Sequence, residues 1–486
     1  MQWALVCSAL PLLVALAGLL PMEVRLREGL TVLSASGCMA AATTLVVGGG
    51  LPLRGFGDYV YIDGLSAVLV VTVALVYFCS SIYAVGYFNY ERGHREFRVY
   101  NRRFHVLFNV FAATLFWVPF SGNLMLLWIA IEATTVTSAL LVSLERSTAA
   151  AEAAWKYILI ASAGLVLGLL GLTLLYYAAS GPLGTHFNPT YPAFLGAAPR
   201  MSRDTTRLAF ALIVIGFGAK AGLVPMHTWL PDAHSEGATP VSAMLSGALL
   251  GDAMYGIFRI YPIVTSAVGT SYPHTLLYIF GIASLALAGL FALRQNNLKR
   301  LYAYSSIEHM GILAVGVAIG GSLALYGVML HFVAHGVTKA LAFFGAGSVL
   351  QRFNTKDARG VHGLAELMPA TAFFVVAGAL AISALPPSGL FRSEIMVVLG
   401  GFQRGALAGA AILILFVNLV FLGALRLVNS MTFSPPLPEV ARGESSRVMV
   451  AAMAVTAVPV FTLGFFIPGP LDHIFSAAAR IMGAGA

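Results

Sequence analysis

The chain has 486 residues, of which 59% are hydrophobic and only 10% are charged, and its mean hydropathy is +0.86. Soluble globular domains carry about 25% charged residues, so this composition excludes a soluble enzyme and a disordered chain. The formal net charge is +8, but the arginines lie in short loops between apolar runs. A nucleic-acid-binding protein would instead need one clustered basic face. The pattern predicts an all-α polytopic membrane protein.

A helix that crosses a bilayer needs about 20 apolar residues. The first such run, Trp3 to Leu20, has no basic stretch before it, and we interpret it as a retained transmembrane helix rather than a cleaved signal peptide. The sequence contains fourteen apolar runs, numbered here as spans 1 to 14: 3–21, 29–51, 65–87, 104–120, 122–143, 155–179, 206–235, 239–261, 273–294, 303–320, 323–350, 368–400, 405–427 and 447–467.

The basic residues are divided unequally between the two predicted sides of the membrane. Seventeen Lys and Arg residues follow odd-numbered spans, whereas six follow even-numbered spans up to span 12. Basic loops stay in the cytoplasm. We therefore predict a multi-pass protein of a prokaryotic cytoplasmic (inner) membrane with its N- and C-termini outside.

Two of the predicted spans are interrupted. Span 7 carries Lys220, Pro225 and the stretch 229–232, and span 12 carries Pro386–Gly389 in mid-run. Proline removes a helical hydrogen bond and clashes with the preceding turn, and such breaks occur at membrane depth only inside protein or beside a watery cavity. Paired broken helices indicate an ion or substrate site between inverted repeats.

The spacing of charged residues supports a five-span repeat. Glu132 in span 5 precedes Lys220 by 88 residues, and Glu308 in span 10 precedes Glu394 by 86 residues. Because five is an odd number, the second copy must be inverted. We predict four regions: an N-terminal three-helix segment (1–103), a first inverted repeat of spans 4 to 8 (104–262), a second inverted repeat of spans 9 to 13 (263–428), and a C-terminal span 14 with a tail (429–486).

The chain has only five lysines, and three of them lie inside apolar spans. A charged residue at the bilayer centre costs at least ~2.5–3.5 kcal/mol. Burial disfavours the charged form of an amine, and a nearby carboxylate favours it. Moving the carboxylate would therefore make the lysine take up or release a proton. Lys220 with Glu132 is the first such pair, although the pair could also be a structural ion pair between helices. Lys156 in span 6 is a candidate too, unless its amine snorkels to the interface.

Three titratable residues share one face of span 11, because His331, His335 and Lys339 recur at a spacing of four. Histidine can relay protons through either ring nitrogen near neutral pH. Two histidines at this spacing could also bind a metal, but no acidic or cysteine ligand follows in the pattern, so we predict no metal site. Packing in the core is the alternative for either histidine alone.

Further titratable residues lie in spans 8, 10 and 12. Asp252 is in the middle of span 8, the dipeptide Glu308-His309 is early in span 10, and Glu394 follows the break of span 12. A local ion pair with Arg392 is the alternative for Glu394. Groups spread over several helices at one depth favour a water-linked chain of proton sites over a substrate pocket. The sequence predicts no catalytic residue, since it has no nucleophile triad, P-loop or dinucleotide fingerprint.

Three stretches resemble the proton-translocating antiporter-like subunits of respiratory complex I: Phe217–His234, Lys299–Gly311 and His331–Lys339. That family includes the membrane subunits of group 4 [NiFe] hydrogenases and the Mrp-type antiporters. The resemblance covers at least residues 104–427. The Ile-Glu-His-Met-Gly sequence and Glu394 are most similar to hydrogenase-4 component F.

The resemblance implies roles for several residues. Glu132 and Lys220 look like the glutamate of span 5 and the lysine of the broken helix, and Lys339 looks like the lysine of span 11. Glu394 stands where some members carry a terminal lysine and others a glutamate. The complete set of candidate proton-translocation residues is Glu132, Lys156, Lys220, Asp252, Glu308, His309, His331, His335, Lys339 and Glu394.

Two departures from the family pattern matter. Members often have a lysine or histidine in span 8, where this chain has Gly251 followed by Asp252, so Asp252, His309 or bound water would have to bridge the centre. The sequence after span 14 is also too short for the long lateral helix of complex I subunit L.

The expected function is translocation of protons or Na⁺ by one subunit of a membrane-bound redox complex, similar to a group 4 hydrogenase, formate hydrogenlyase or complex I. The three cysteines have no iron–sulfur spacing, so we expect no cofactor in this chain. Iron–sulfur clusters, with a Ni–Fe centre in the hydrogenase case, would belong to peripheral partner subunits. Other membrane subunits and the lipid bilayer are expected partners, and nucleic acid is not. The alternatives are an Mrp-type cation/proton antiporter and an energy-coupling subunit for inorganic-carbon uptake.

Overall fold

The computed structural model describes residues 2–89, 97–145, 147–438 and 440–484, and these residues are almost entirely helical. Their helices are α1 (Gln2–Gly18), α2 (Val24–Gly48), α3 (Gly64–Asn89), α4 (Phe97–Phe120), α5 (Leu124–Val142), α6 (Thr148–Leu183), α7 (Tyr191–Ala197), α8 (Arg203–Ala221), α9 (Trp229–Glu236), α10 (Thr239–Met244), α11 (Leu250–Val268), α12 (Ser271–Ala292), α13 (Leu298–Ile319), α14 (Ser322–Phe353), α15 (Leu364–Leu367), α16 (Pro369–Ile382), α17 (Gly389–Gln403), α18 (Leu407–Thr432), α19 (Arg447–Phe465) and α20 (Gly469–Ile481). A short antiparallel hairpin of β1 (Leu53–Gly55) and β2 (Val60–Ile62) precedes α3. Arg92, Arg95 and Arg146, which were counted for the predicted orientation, lie outside the described residues.

Each of the fourteen predicted spans corresponds to a helix or to a pair of helices. Within the described residues, ten continuous helical segments are long and apolar enough to cross a membrane. The four remaining spans correspond to the shorter α1, to the pairs α8/α9 and α16/α17, and to α13, which carries charged residues. The predicted all-α polytopic architecture is confirmed.

The two predicted interruptions are breaks in the structure. In the first, α8 ends at Ala221 and Gly222 adopts a left-handed conformation with φ of +79°, which glycine tolerates because it has no Cβ. Pro225 lies in the following non-helical segment. In the second, α17 begins after Ser388, whose side chain accepts a hydrogen bond of 3.1 Å from the Phe391 amide. This N-cap restarts the helix inside the protein.

Small residues bring α6 and α8 into close contact. A Cβ added to Gly216 would lie 2.4 Å from the backbone nitrogen of Gly168, and one added to Gly164 would lie 2.4 Å from the Cβ of Ala219. Small side chains allow this approach between membrane helices. Because Ala219 directly precedes Lys220, the contact positions that lysine against α6.

The order of helices repeats along the chain. In the first unit, α4 packs on α5, α5 on α6, and α6 on the broken helix α8/α9. In the second, α12 packs on α13, α13 on α14, and α14 on the broken helix α16/α17. Each unit has five spans, so the two units start on opposite sides of the membrane. The residue boundaries of the four predicted regions stay predictions.

The two units meet where the segment α10–α11 packs against α14. A π-helical turn at Leu245–Leu249 joins α10 to α11, and a Cβ on Gly247 would lie 2.7 Å from the carbonyl oxygen of Gly336. The hydroxyls of Ser246 and Ser306 are 2.7 Å apart at the same junction. A π-turn widens the helix locally, and here it lies between the two buried lysine sites described below.

Candidate functional site

Lys220 lies in the last turn of α8 and is completely buried. Its amine donates a 2.8 Å hydrogen bond to Thr135 Oγ1 and a second bond to the Tyr157 hydroxyl, and it lies 4.7 Å from the centroid of the Tyr157 ring. The Tyr157 hydroxyl is 2.8 Å from Ser138 Oγ, which itself donates to the Thr134 carbonyl. The chain of donors therefore runs from the amine through Tyr157 to Ser138. Neutral hydroxyls and an aromatic ring hold this lysine.

Glu132, the predicted partner of Lys220, does not touch it. One carboxylate oxygen of Glu132 accepts a 2.7 Å hydrogen bond from Ser162 on α6, and the other is buried without a hydrogen-bond partner. Among the described residues, no carboxylate oxygen lies within 4.0 Å of the Lys220 amine. The predicted pair is therefore not a direct ion pair, because Ser162 takes the carboxylate while Thr135 and Tyr157 take the amine. Glu132 still acts on Lys220 electrostatically.

Asp252 on α11 is a second buried carboxyl group near Lys220. Its side chain is 1% exposed, and neither carboxyl oxygen has a hydrogen-bond partner among the described residues. Lys220 and Asp252 interact electrostatically. A buried carboxyl group without partners needs a proton or water, so Asp252 stays a candidate for proton exchange.

Lys156 is not part of this buried cluster. Its side chain is 46% exposed, and its amine lies 2.6 Å from Glu152 and 3.4 Å from Asp232. Asp232 also contacts Arg300 at 3.0 Å. The amine reaches back one turn along α6 to Glu152, as expected for a snorkelling lysine. The prediction that Lys156 belongs to the buried relay is not supported, because its side chain points about 100° away from that of Tyr157 and is exposed.

Lys339 on α14 has surroundings similar to those of Lys220. It is completely buried, and its amine donates to Ser305 Oγ at 2.8 Å and to the Tyr302 carbonyl at 3.0 Å. Glu308 follows Ser305 by one turn of α13 and is buried with no hydrogen-bond partner at either carboxyl oxygen. In both clusters a hydroxyl holds the amine, and a glutamate lies three residues from that hydroxyl on the same helix.

The histidines continue from Lys339 towards α17. The Nδ1 atom of His309 lies 3.2 Å from His331 Nε2 and 3.6 Å from a carboxylate oxygen of Glu394. The ring of His335 is 5.1 Å from that of His309. Three helices thus contribute His309, His331, His335 and Glu394 to one buried group, and the structure brings the predicted residues of spans 10 to 12 together.

Ser393 on α17 contacts the His331 ring of α14. Ser393 Oγ lies 2.8 Å from the Leu390 carbonyl oxygen and 2.9 Å from His331 Nδ1, and a serine hydroxyl can both donate and accept. His331 therefore has a hydrogen-bonding partner at each ring nitrogen, Ser393 at Nδ1 and His309 at Nε2. Such a ring can pass a proton from one nitrogen to the other.

The same group also contains the potential metal-binding atoms of the chain. Within the described ranges, His309, His331 and Glu394 present ligand-type atoms that lie within 4.8 Å of one another. The pair considered from the sequence was His331 and His335, and no metal site was predicted there. The 3.2 Å distance between His309 Nδ1 and His331 Nε2 is that of a hydrogen bond, so a proton can pass between the two rings.

Glu394 is positioned by the α14–α17 contact rather than by its neighbour in sequence. No ion pair joins Arg392 and Glu394 in the described part of the chain, whereas Glu394 approaches His309. The alternative of a local ion pair is therefore wrong.

His234 is a further candidate residue, which the sequence analysis did not single out. On α9 its Nδ1 atom lies 2.9 Å from the Leu230 carbonyl, and its Nε2 atom is buried without a partner. The ring is 5.8 Å from Phe343 of α14, and it interacts electrostatically with Lys339 and His335. The signal was present, since His234 ends the first family-like stretch, but the sequence could not show that it faces the second repeat.

Both lysine clusters lie inside the part of the chain that matches a known family. Residues 121–422 match the family described as NADH:quinone oxidoreductase/Mrp antiporter, TM. The chain belongs to this family. The antiporter-like chain is 33% identical to a hydrogenase-4 component F homolog of Methylacidiphilum infernorum over 418 residues, which cover 85% of this chain and 86% of the relative.

Two further comparisons cover nearly the whole antiporter-like chain. It is 32% identical to NADH-quinone oxidoreductase subunit N of Desulforudis audaxviator over 481 residues, 94% of this chain and 92% of the relative. Its fold matches a chain of the membrane-bound sulfane sulfur reductase, an archaeal respiratory membrane complex, with a TM-score of 0.86 over 100% of this chain and 98% of that chain. At 22% identity this likeness shows the fold alone. The predicted family resemblance is confirmed.

Proposed function

We propose that the antiporter-like chain moves protons across the membrane through its buried lysines, as one subunit of a larger membrane complex. The observation that carries the proposal is the repeated cluster: Lys220 and Lys339 are completely buried, each amine is held by a hydroxyl, and each lies near an acidic group with an unpartnered oxygen. Amines in this setting are costly to bury, and the chain contains the cluster twice.

The neutral hydroxyls make proton release from the lysines feasible. If Lys220 were in a direct ion pair, losing its proton would leave a buried carboxylate without a partner, which is expensive. Thr135 and Tyr157 can instead bond to the neutral amine as well, because hydroxyls both donate and accept. Glu132 and Asp252 then adjust the charge of the lysine from a distance.

The structure offers a route around the glycine in span 8. A side chain at Gly251 would meet Phe332 and Leu69 at 3.5–3.6 Å, so this position faces apolar residues. The ring of His234 lies 5.8 Å from that of Phe343 in the second repeat, and His234 interacts electrostatically with Lys339. We infer that Asp252, His234 and intervening water link Lys220 to Lys339, and that His309, His331 and His335 continue to Glu394.

The assembly around this chain would supply the energy. The identity to a hydrogenase-4 component F homolog favours a group 4 hydrogenase-like redox complex. Peripheral partners would then hold iron–sulfur clusters and a Ni–Fe centre, and a charge change there would reach the lysines through neighbouring membrane subunits. The location would be the cytoplasmic membrane of a prokaryote, with both termini outside.

A second candidate is an Mrp-type cation/proton antiporter, which the matched family description includes. Purification from mild-detergent membranes separates the two candidates. Iron–sulfur and nickel–iron subunits among the co-purifying proteins would support the redox complex, whereas only small membrane subunits, with Na⁺-dependent proton flux in vesicles, would support the antiporter.

The test of proton translocation is Lys220→Ala in the intact complex, with Arg442→Ala as the control. Arg442 is 75% exposed and pairs with Glu366 at 3.3 Å, so the control also removes one positive charge. We expect Lys220→Ala to abolish coupled proton movement while the complex still assembles, and Arg442→Ala to stay within about twofold of the wild type. Unimpaired translocation by an assembled Lys220→Ala complex would refute the relay.

A further inference from the structure

Lys299 is a third buried lysine, outside the clusters of Lys220 and Lys339. It lies in the first turn of α13 with 5% of its surface exposed. Its amine donates a single hydrogen bond, 2.9 Å to the carbonyl of Gly237 at the end of α9. An ammonium group has three protons to donate, so this amine is under-satisfied among the described residues.

A small cavity connects Lys299 with the surface. The cavity has a volume of about 20 Å³ and is lined by Asn297, Lys299, Thr355, Lys356 and apolar residues of α14. This is enough for one water molecule. At its outer end the side chain of Lys356 is 45% exposed. The Lys299 amine can therefore exchange protons with solvent through one water.

On its inner side, Lys299 leads along α13 to Lys339. Lys299, Tyr302 and Ser305 recur every three residues and share one face of the helix, and Ser305 binds the Lys339 amine at 2.8 Å. Six residues of α-helix cover about 9 Å. The Tyr302 side chain starts midway along this path, and its hydroxyl is buried with no hydrogen-bond partner.

Two more buried polar atoms without partners belong to the same region. They are Nε2 of His234 and Oγ1 of Thr239, which flank Gly237 in sequence. His234 interacts electrostatically with both Lys299 and Lys339. Buried polar groups without a protein partner are the places where internal water is bound, so these atoms indicate a short hydrated path between the two lysines.

We propose that Lys299 is the proton-uptake residue for Lys339, on the side of the membrane that carries the α12–α13 connection. The proposal rests on the proposed function. The Lys299 ammonium passes a proton along water and the Tyr302 hydroxyl to Lys339, and a solvent proton entering through the cavity restores the ammonium. No proton is gained or lost overall, and that side is the predicted cytoplasmic one.

The charges that face Lys299 come from several elements. They are Glu145 after α5, Glu236 and His234 on α9, and Lys356 after α14. Glu236 is paired with Lys356 at 2.6 Å, so a change at Lys356 also alters the field at Lys299. A control variant must therefore leave both Lys356 and Glu236 in place.

The test compares Lys299→Met, Tyr302→Phe and Arg442→Met in the assembled complex, reconstituted in vesicles of known orientation. We expect Lys299→Met to slow translocation at least tenfold and to flatten its dependence on pH at the α12–α13 side only. Lys299→Arg should restore little, because arginine does not release its proton. Arg442→Met removes a positive charge from a side chain that is 75% exposed and does not line the cavity, so it should change the rate by less than twofold and keep the pH dependence.

Tyr302→Phe decides the question if Lys299→Met does not assemble. The variant removes one hydroxyl that has no partner, so thermal stability should be unchanged or slightly higher, while translocation should fall severalfold. The uptake route would be overturned if Tyr302→Phe and any assembled Lys299→Met complex kept wild-type rates and pH profiles while Lys220→Ala was inactive. In that case the proposed relay through Lys220 would still hold. Active Lys220→Ala would instead refute the proposed function itself.

Discussion

Replacing Glu132 by glutamine tests whether a carboxylate that does not touch Lys220 still controls it. Glutamine has nearly the same shape, and its carbonyl can keep the 2.7 Å hydrogen bond from Ser162. The second carboxylate oxygen of Glu132 has no partner, so the new amide group breaks no existing bond there. The substitution therefore removes a negative charge with little change in packing.

The size of the effect follows from the helix geometry of α5. Residues three apart on a helix have Cβ atoms about 5–6 Å apart, and the Lys220 amine is bound to Thr135, three residues after Glu132. The two charges are then roughly 7 Å apart, which corresponds to about 2.4 kcal/mol at an effective dielectric constant of ~20. A free-energy difference of this size corresponds to a factor of about 60 in an equilibrium constant.

The assay is proton uptake into vesicles that contain the assembled complex, measured together with turnover of the driving reaction. We expect Glu132→Gln to lower coupled proton movement by about 10- to 60-fold. Ser162→Ala, which removes the hydrogen bond but keeps the charge, should lose much less. Glu152→Gln removes an exposed carboxylate on the same protein and serves as the charge control. Wild-type coupling in Glu132→Gln would show that this carboxylate does not act on Lys220.

Three other substitutions, one of them with a control variant, have distinct expected outcomes. Lys156→Ala should change translocation by less than twofold in the same vesicle assay, because its ion pair with Glu152 is exposed. A large loss of translocation would show that Lys156 takes part in the proton relay. Gly216→Ala places a Cβ 2.4 Å from Gly168 N and should destabilise by ~1–3 kcal/mol, read as a lower melting temperature in detergent. Gly196→Ala, with open space around it, should not. Asp252→Asn should slow translocation without loss of assembly; an unchanged rate would exclude Asp252 from the proton path.

Much of the fold could be predicted because the bilayer restricts it so strongly. Length and apolarity define the spans, and prolines mark the two breaks, since neither feature depends on tertiary contacts. Two of the buried lysines, Lys220 and Lys339, could be found for the same reason, because a charge in an apolar run is expensive wherever its partners lie. Lys220 and Lys339 are both completely buried in the structure.

The partners of those lysines could not be predicted in the same way. Tyr157, which bonds to Lys220, is 63 residues away in sequence, and hydroxyl residues are common in every span. The contrast between Lys156 and Tyr157 shows the limit most clearly. They are adjacent in α6, yet one side chain is exposed and the other is buried, because successive residues of a helix point about 100° apart. A helix that is apolar on all sides does not reveal which face is inside.

The distance between lysine and carboxylate matters for a relay. Two opposite charges 3 Å apart attract by about 5.5 kcal/mol at an effective dielectric constant of ~20, compared with about 2.4 kcal/mol at roughly 7 Å. The stronger attraction would keep the proton on the lysine. The weaker attraction can be offset by a modest charge change in a neighbouring subunit, so that the lysine releases its proton. Because Thr135 and Ser162 hold Lys220 and Glu132 separately, the interaction stays in the reversible range. The hydroxyls that sequence patterns overlooked are thus what makes the cluster suitable for moving protons.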